Sequence, residues 1–390
     1  MYHKFKPQSL FTGYTIIDSN NRVVVTTQDG TIVDITLASE AGEDIQELDG
    51  LLCPGFINAH CHLELSHLKD AIPTETGLSE FVKQIVPKRA AAQEVIEAAI
   101  EAAENEMYNN GIVAVGDICN TADTIAAKTK GKIAYYNFVE IYGLDPLLAT
   151  QKMNEGLLLQ IQYEAANLKA VVIPHASYSV PAALLELLAK KYGSHTVSIH
   201  NQETKAENDF FEKKIGAFVD MYARVGVDLD FFTPTKTTSL QSVLPYLKDA
   251  AKTIWVHNSF TSESDIKAVQ ATNTDAYWCL CPNANQYIEN TMPPVQLLRE
   301  QHANIVVGTD SYASNWSLNM LDELKRIQLH NPQIPIAEML NWITSNGARA
   351  LQMEDKLGSI EIGKKPGLIL IENLSNLHQL TSSSSARRIL

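Results

Sequence analysis

The chain has 390 residues, 45% hydrophobic and 19% charged, with a formal net charge of −14. This composition predicts a globular protein with a sizeable core, and its acidity excludes the basic face that nucleic acids and anionic membranes require. No apolar run reaches the ~20 residues of a membrane span, the opening MYHKFKPQSLF lacks the apolar centre of a secretion signal, and the five cysteines, at 53, 61, 119, 279 and 281, suit reduced thiols in a cytoplasm.

Residues 9–50 predict two hairpins, turning at 19–21 (SNN) and 29–30 (DG) between alternating Val and Ile. From residue 51 the pattern changes to short apolar runs separated by helical stretches. The runs are 51–60, 112–119, 132–143, 169–178, 196–204, 253–260, 275–282 and 304–311. The helical stretches include 94–110, where Glu94, Glu97, Glu101 and Glu104 form a solvated face opposite Val95, Ala99, Ala102 and Ala103, and then 147–166, 180–192, 204–224 and 261–271. Eight near-continuous apolar strands alternating with helices predict an α/β chain folded as a (β/α)8 TIM-type barrel. A doubly wound open sheet is disfavoured, because no G-x-G-x-x-G follows the first strand. The Gly-punctuated stretch 357–374 is β-like again, and the ending TSSSSARRIL reads as a frayed tail. The expected domains are therefore 1–52 and 357–390, which together build one small β-sandwich-like domain, and the metal-binding barrel 53–356.

Chemistry collects at the strand ends. In PGFINAHCHLE (54–64), His60 and His62 are one residue apart, and strand alternation turns both imidazoles to the same side. His175, His200 and His257 end later strands, as does Asp310, and a parallel barrel gathers its C-terminal strand ends at one mouth. Imidazoles with a carboxylate suit a borderline ion such as Zn²⁺ or Fe²⁺, with one position open for water. Glu203, three residues after His200, is placed to shuttle protons there. The other histidines, 3, 67, 195, 302, 330 and 378, read as surface or satisfied side chains. Cys279 and Cys281 read as core lining. Glu64 and Glu140 are either hydrogen-bonding groups for a substrate or members of rim salt bridges. The H-x-E of residues 62–64 is not a nucleic-acid deaminase signature, since no P-C-x-x-C follows it.

The segments PGFINAHCHLE, HASYSV, SIHNQET, WVHNSF, CPNAN and VGTDSYASNWSLNML, in this order and spacing, resemble the amidohydrolase superfamily. The branch they look most like holds chlorotriazine hydrolases, guanine deaminase and adenosine or S-adenosylhomocysteine deaminases. The resemblance implies that His60, His62, His200 and Asp310 bind one divalent metal, Zn²⁺ or Fe²⁺. It implies that Glu203 moves protons, that His257 and Asp310 act on the metal's water, and that His175 recognises substrate. AVVIPHASY lacks the strand-four lysine of the binuclear branches, which favours one ion. Trp316 stands where relatives often have Asn, as a stacking wall for a ring or a cover for the rim. Pro366-Gly367 replaces the usual Ala-Asp of the small domain.

The activity implied is hydrolytic deamination of an amino-substituted N-heterocycle. The candidates are 6-aminopurine nucleoside-type compounds: adenosine, S-adenosylhomocysteine, methylthioadenosine or aminodeoxyfutalosine. The alternatives are guanine deamination, cyclic amide hydrolysis and chloro-heterocycle dehalogenation. A non-catalytic metal protein is disfavoured, because structural sites are closed and need no shuttle. The partner expected is a small heterocyclic molecule, with no nucleic acid and no membrane; a homo-oligomer is left open.

Overall fold

The computed structural model describes residues 2–18, 21–272, 274–376 and 379–390. Eight parallel strands follow in chain order: β1 (Phe56–Cys61), β2 (Ile112–Cys119), β3 (Ala134–Ile141), β4 (Ala170–Pro174), β5 (Thr196–Asn201), β6 (Lys252–His257), β7 (Asp275–Leu280) and β8 (Asn304–Val307). Strands β1–β4 form one four-stranded sheet and β5–β8 another. The two sheets meet at both seams through single bridges, Ala176 with His200 and Cys61 with Asp310. At one seam His200 N donates to His175 O at 2.9 Å; at the other, Thr309 N and Asp310 N both donate to His60 O at 3.1 Å. The barrel is thus tied shut at its mouth by the residues that carry the histidines.

The strands are apolar along nearly their whole length because both faces are covered, with Trp255, Trp278, Tyr136 and Phe138 among the fully buried side chains. Gly308 is needed where β8 crosses β1. A Cβ there would lie 2.7 Å from both the carbonyl oxygen and the Cβ of His60, so any side chain would push that histidine away.

The termini build a single seven-stranded sheet from Tyr2–Phe11, Ile16–Asp18, Arg22–Thr27, Ile32–Leu37, Gln46–Pro54, Leu368–Glu372 and Ser385–Arg388. Strand alternation divides its two faces. Leu10, Leu52, Leu368 and Leu370 enter the sheet's own core with Phe5, Val24 and Ile32, while Phe11, Leu51, Cys53, Ile369 and Ile371 turn to the barrel core. The DG turn joins two paired strands, with Gly30 at φ +89°. The SNN turn differs from expectation. Residues 19 and 20 lie outside the described residues, and the strands flanking them both pair with Tyr2–Phe11, so the reversal falls at 12–15.

Four further expectations are corrected. The run 51–60 belongs to two strands, split at Gly55, because the small sheet and the barrel both bury their backbones. The segment 94–110 is the helix Gln93–Asn109, but it buries Ile96, Ile100, Ala103, Glu104 and Met107 while Val95 is exposed. Glu104 is drawn inward as acceptor for the Tyr135 hydroxyl at 3.0 Å. The segment 204–224 is two helices, Lys205–Lys213 and Ala217–Arg224, separated where Lys214 and Gly216 take positive φ. The ending is no frayed tail. Ser385–Arg388 pairs with Leu368–Glu372, and the Arg388 guanidinium donates to the carbonyls of Tyr108 and Ile112 and stacks on the Tyr108 ring.

A separate apolar cluster covers the mouth. Leu65, Leu68, Ile72, Leu78 and Phe81 from the β1 connection pack with Tyr178 and with Phe210, Phe211, Phe218 and Tyr222 from the β5 connection. Among the described residues no helix is long and apolar enough to cross a membrane.

Candidate metal centre and active site

His60 near the end of β1, His62 just past it and His200 on β5 converge on one point. His62 Nε2 lies 3.2 Å from His60 Nε2 and 3.2 Å from His200 Nε2. Asp310 Oδ1 lies 3.5 Å from His60 Nε2 and 3.3 Å from His62 Nε2. These donor atoms all lie within 4.8 Å of one another. Hydrogen bonds do not account for the convergence, because each neutral ring brings at most one proton to three facing nitrogens and a carboxylate. A tetrahedral ion with bonds of about 2.0–2.1 Å sets its ligand atoms roughly 3.3 Å apart, which the observed spacings match. Three imidazoles and one carboxylate are also the ligand chemistry of a borderline divalent ion. The donor set fits one metal.

Electrostatics agree with neutral rings around an ionised carboxylate. Burial holds the His60 imidazole below its ordinary value and His62 well below it, so neither carries a proton that would block ligation. Burial pushes the Asp310 carboxyl up, but the bond from His60 and the nearby His62 and His257 outweigh it and hold the group far below the usual carboxylate range. Its other oxygen, Oδ2, accepts from Ser314 Oγ at 2.5 Å.

Glu203 sits two residues past β5, with His257 Nε2 3.7 Å from its Oε2. Burial, then the charges of Asp310, Glu207 and Glu289, push its carboxyl well above the usual range. His257 closes β6 with Nδ1 3.3 Å from Asn285 Oδ1, and burial lowers its imidazole to about 3. The backbone is strained around these groups: Gln202, His257, Asn258 and Asp310 all take positive φ, at 47°, 71°, 48° and 57°. Non-glycine residues resist this region by about 1 kcal/mol or more each, and such strain concentrates at functional sites.

The remaining candidates lie at varying distances from this centre. His175 packs 5.0 Å from the His200 ring, with Nδ1 2.6 Å from Ser179 Oγ, and burial lowers it to about 4. Glu140 lies behind His200, its Oε1 3.3 Å from Nδ1 of that ring. Burial raises its carboxyl, but His175, His200 and His62 draw it down to about 2. Of the two readings open for Glu64, the structure displays the salt bridge. Its oxygens accept from Arg89, from the backbone of Asn120 at 2.9 Å and Thr121 at 3.0 Å, and from the Thr121 hydroxyl. Trp316 is exposed, its ring 5.1 Å from Tyr287 with Arg326 above it. Cys279 and Cys281 are wholly buried and belong to neither donor group found among the described residues. His378 lies outside the described residues.

Several supporting residues escaped the sequence reading: Ser314 on Asp310, Asn285 on His257, Asn120 on Glu140, and Glu207. The last accepts from the backbone N–H of Gln202 at 2.9 Å and of Glu203 at 2.8 Å. The available signal was spacing, since Ser314 and Glu207 each stand four residues after the group they support.

Fold and donor set together define a barrel protein whose mouth carries a donor set that fits one metal ion. Residues 51–389 match the model of the amidohydrolase family, and the chain belongs to that family. It is 28% identical over 326 residues to an adenosine deaminase of Helicobacter pylori, spanning 82% of this chain and 78% of that one. It is 29% identical over 386 residues to a 5-methylthioadenosine/S-adenosylhomocysteine deaminase of Teredinibacter turnerae, spanning 94% of this chain and 80% of that one. Its fold matches the crystal structure of Helicobacter pylori aminofutalosine deaminase in complex with methylthio-coformycin, with a TM-score of 0.83 and 23% identity over 100% of both chains.

Proposed function

We propose that this protein is a zinc-dependent hydrolytic deaminase that converts the 6-amino group of an adenine nucleoside-type compound to a 6-oxo group. The observation that carries the reading is the state of Glu203. It is a buried carboxyl with no hydrogen-bond donor among the described residues, its Oε2 3.7 Å from His257 Nε2 beside a three-histidine, one-aspartate donor set, and burial raises its proton affinity. A group so held is a general acid in waiting.

In this reading His60, His62, His200 and Asp310 hold the ion, which supplies a water acidified to near neutrality. Neutral His257, with Asp310, would take the proton that a water gives up when its oxygen bonds to C6 of the substrate. Glu203 gives its proton to the adjacent ring nitrogen, which receives the electron pair displaced from the ring double bond. C6 would then be tetrahedral; transfer of the held proton to the amine would let ammonia leave with the C–N electron pair, and the C6 hydroxyl proton would return to Glu203 as the 6-oxo group forms. His175 and Trp316 are assigned to the substrate. We read 53–356 as the catalytic unit and the segments 1–52 and 357–390 as one supporting domain.

The relatives named above act, by their names, on 6-aminopurine nucleosides and support this substrate class. The test is ammonia release from adenosine, S-adenosylhomocysteine, methylthioadenosine and aminodeoxyfutalosine, with purine riboside, which has no exocyclic amine, as the inert control. Turnover of at least one of the four is expected. If all four are untouched while guanine, a cyclic amide or a chlorotriazine is hydrolysed, the adenine reading is wrong and another reaction of the family takes its place.

A further inference from the structure

We propose that Glu140 sets the orientation and ligand strength of His200 from behind, as the buried inner end of a partly buried chain running from Arg89 through Asn120; this rests on His200 being a metal ligand. An imidazole that ligates through Nε2 carries its proton on Nδ1, and whatever accepts that proton fixes the ring's tautomer and tilt and strengthens Nε2 as a donor. His200 Nδ1 faces two acceptors, the carbonyl oxygen of His175 at 2.9 Å and Glu140 Oε1 at 3.3 Å. The two ring nitrogens flank Cε1 and point in diverging directions, so Glu140 at Nδ1 leaves Nε2 to the donor set. His60 offers a contrast, since its Nδ1 is buried without a partner.

Glu140 Oε1 is itself buried and has no hydrogen-bond partner; it meets the His200 ring through charge, while the Nδ1 proton goes to the His175 carbonyl. A bare buried carboxylate oxygen is costly unless something cationic or polarised faces it, and the Nδ1–H edge of a metal-bound ring is such a group. The other oxygen is fixed in place. Asn120 Nδ2 donates at 3.0 Å to Glu140 Oε2 and at 3.0 Å to the Glu140 carbonyl, clamping side chain and strand together. Asn120 Oδ1 accepts from Arg89 Nη2 at 2.9 Å, and the same Arg89 nitrogen donates to Glu64. Arg89 follows the helix Leu78–Lys88 of the connection that covers the mouth. The chain of contacts therefore ends at the ligand on one side and at the cover on the other. Glu140 and Asn120 are positioning residues, and neither touches the substrate.

The experiment measures zinc affinity without any substrate. Protein stripped of metal is titrated with zinc against a chromophoric chelator, and its unfolding midpoint is recorded in the stripped state. Glu140→Gln keeps the shape and removes the charge. It should weaken zinc binding by about 10–100-fold with little change in the stripped midpoint. It should also shift the visible spectrum of the cobalt-loaded protein, which a remote structural role would leave alone. Asn120→Ala leaves the carboxylate but frees it, so a smaller loss, roughly several-fold, is expected. Parent-like zinc affinity in Glu140→Gln overturns the proposal. If Glu140→Gln does not fold, Asn120→Ala decides, and unchanged affinity there overturns the proposal equally. No substrate enters the measurement, so failure here is separate from failure of the deaminase reading.

Discussion

The centre of the mouth and the collar around it treat buried carboxyl groups in opposite ways. In the collar, Glu207 accepts from Gln202 N, Glu203 N, Ser177 Oγ and Ser239 Oγ. Glu323 accepts from Asn283 N and Nδ2 and from Asn315 Nδ2. At the centre, Glu203 receives no hydrogen-bond donor among the described residues, and Asp310 receives Ser314 on Oδ2 while Oδ1 faces His60 and His62. A buried carboxyl with a full set of donors is structure, because its lone pairs are already used. One left bare inside a rigid frame is kept for something that binds there. The collar also explains how the centre stays bare: Glu207 grips the backbone at Gln202 and Glu203, so the Glu203 side chain need not hold itself in place.

The contrast is broken most severely by removing a histidine of the central donor set. His62 Nε2 is the hub, 3.2 Å from each of the other two histidine donors and 3.3 Å from Asp310. His62→Ala should reduce the metal content of purified protein well below one ion per chain and lower turnover by at least ~10³-fold. Elemental analysis beside an ammonia assay checks both, and a variant with full metal and full activity would remove the centre from the argument. Glu203→Gln is the next largest effect. It should keep its metal while kcat falls by about 10²–10⁴, because only proton transfer is lost. Loss of metal would instead make Glu203 a ligand.

How far this contrast was legible in the sequence follows from its physics. Barrel strands are covered on both faces, so they stand out as apolar runs, and 112–119 reads off as Ile112–Cys119. Histidines that end such runs are conspicuous, because imidazole is uncommon there and all strand ends share one mouth. Where two buried strands are consecutive the same signal fails, which is why the boundary at Gly55 did not show. The helix Gln93–Asn109 misled because alanines and glutamates are compatible with either side, and Tyr135 pulled Glu104 inward across sequence. The collar was invisible for a similar reason. Ser314, Asn285 and Glu207 are ordinary polar residues until folding supplies their partners.

Removing a collar carboxyl should damage stability first and chemistry second. Glu207→Ala leaves two backbone N–H groups and two hydroxyls without their acceptor in a buried place. A destabilisation of about 2–4 kcal/mol is expected by denaturant titration, with kcat reduced less than in Glu203→Gln. Equal losses of kcat in the two variants would mean that the collar takes part in the reaction, and the contrast would fail.

The smallest effect expected is a slope with pH. Burial pushes Glu323 from its ordinary 4.5 up to about 8, against the pull of its donors from Asn283 and Asn315. The folded protein therefore holds this proton more tightly than the unfolded chain does. Its contribution to stability is complete below the unfolded value near 4.5 and is lost as pH rises through about 8. Gln at this position has no proton to lose. Thermal unfolding midpoints of Glu323→Gln and parent, measured from about pH 5 to pH 9, should diverge by several degrees in favour of the variant as pH rises, whatever their offset at pH 5. Glu64 lies in the same sense, raised by burial to about 7, so part of the parent's decline should persist in the variant. A constant offset across the range would mean that Glu323 is ionised throughout and that its donors outweigh burial. Because Asn315 also donates to Thr309 O, beside Asp310, that outcome would put a fixed negative charge behind the β8 loop. The collar would then bear on the centre through charge as well as through hydrogen bonds.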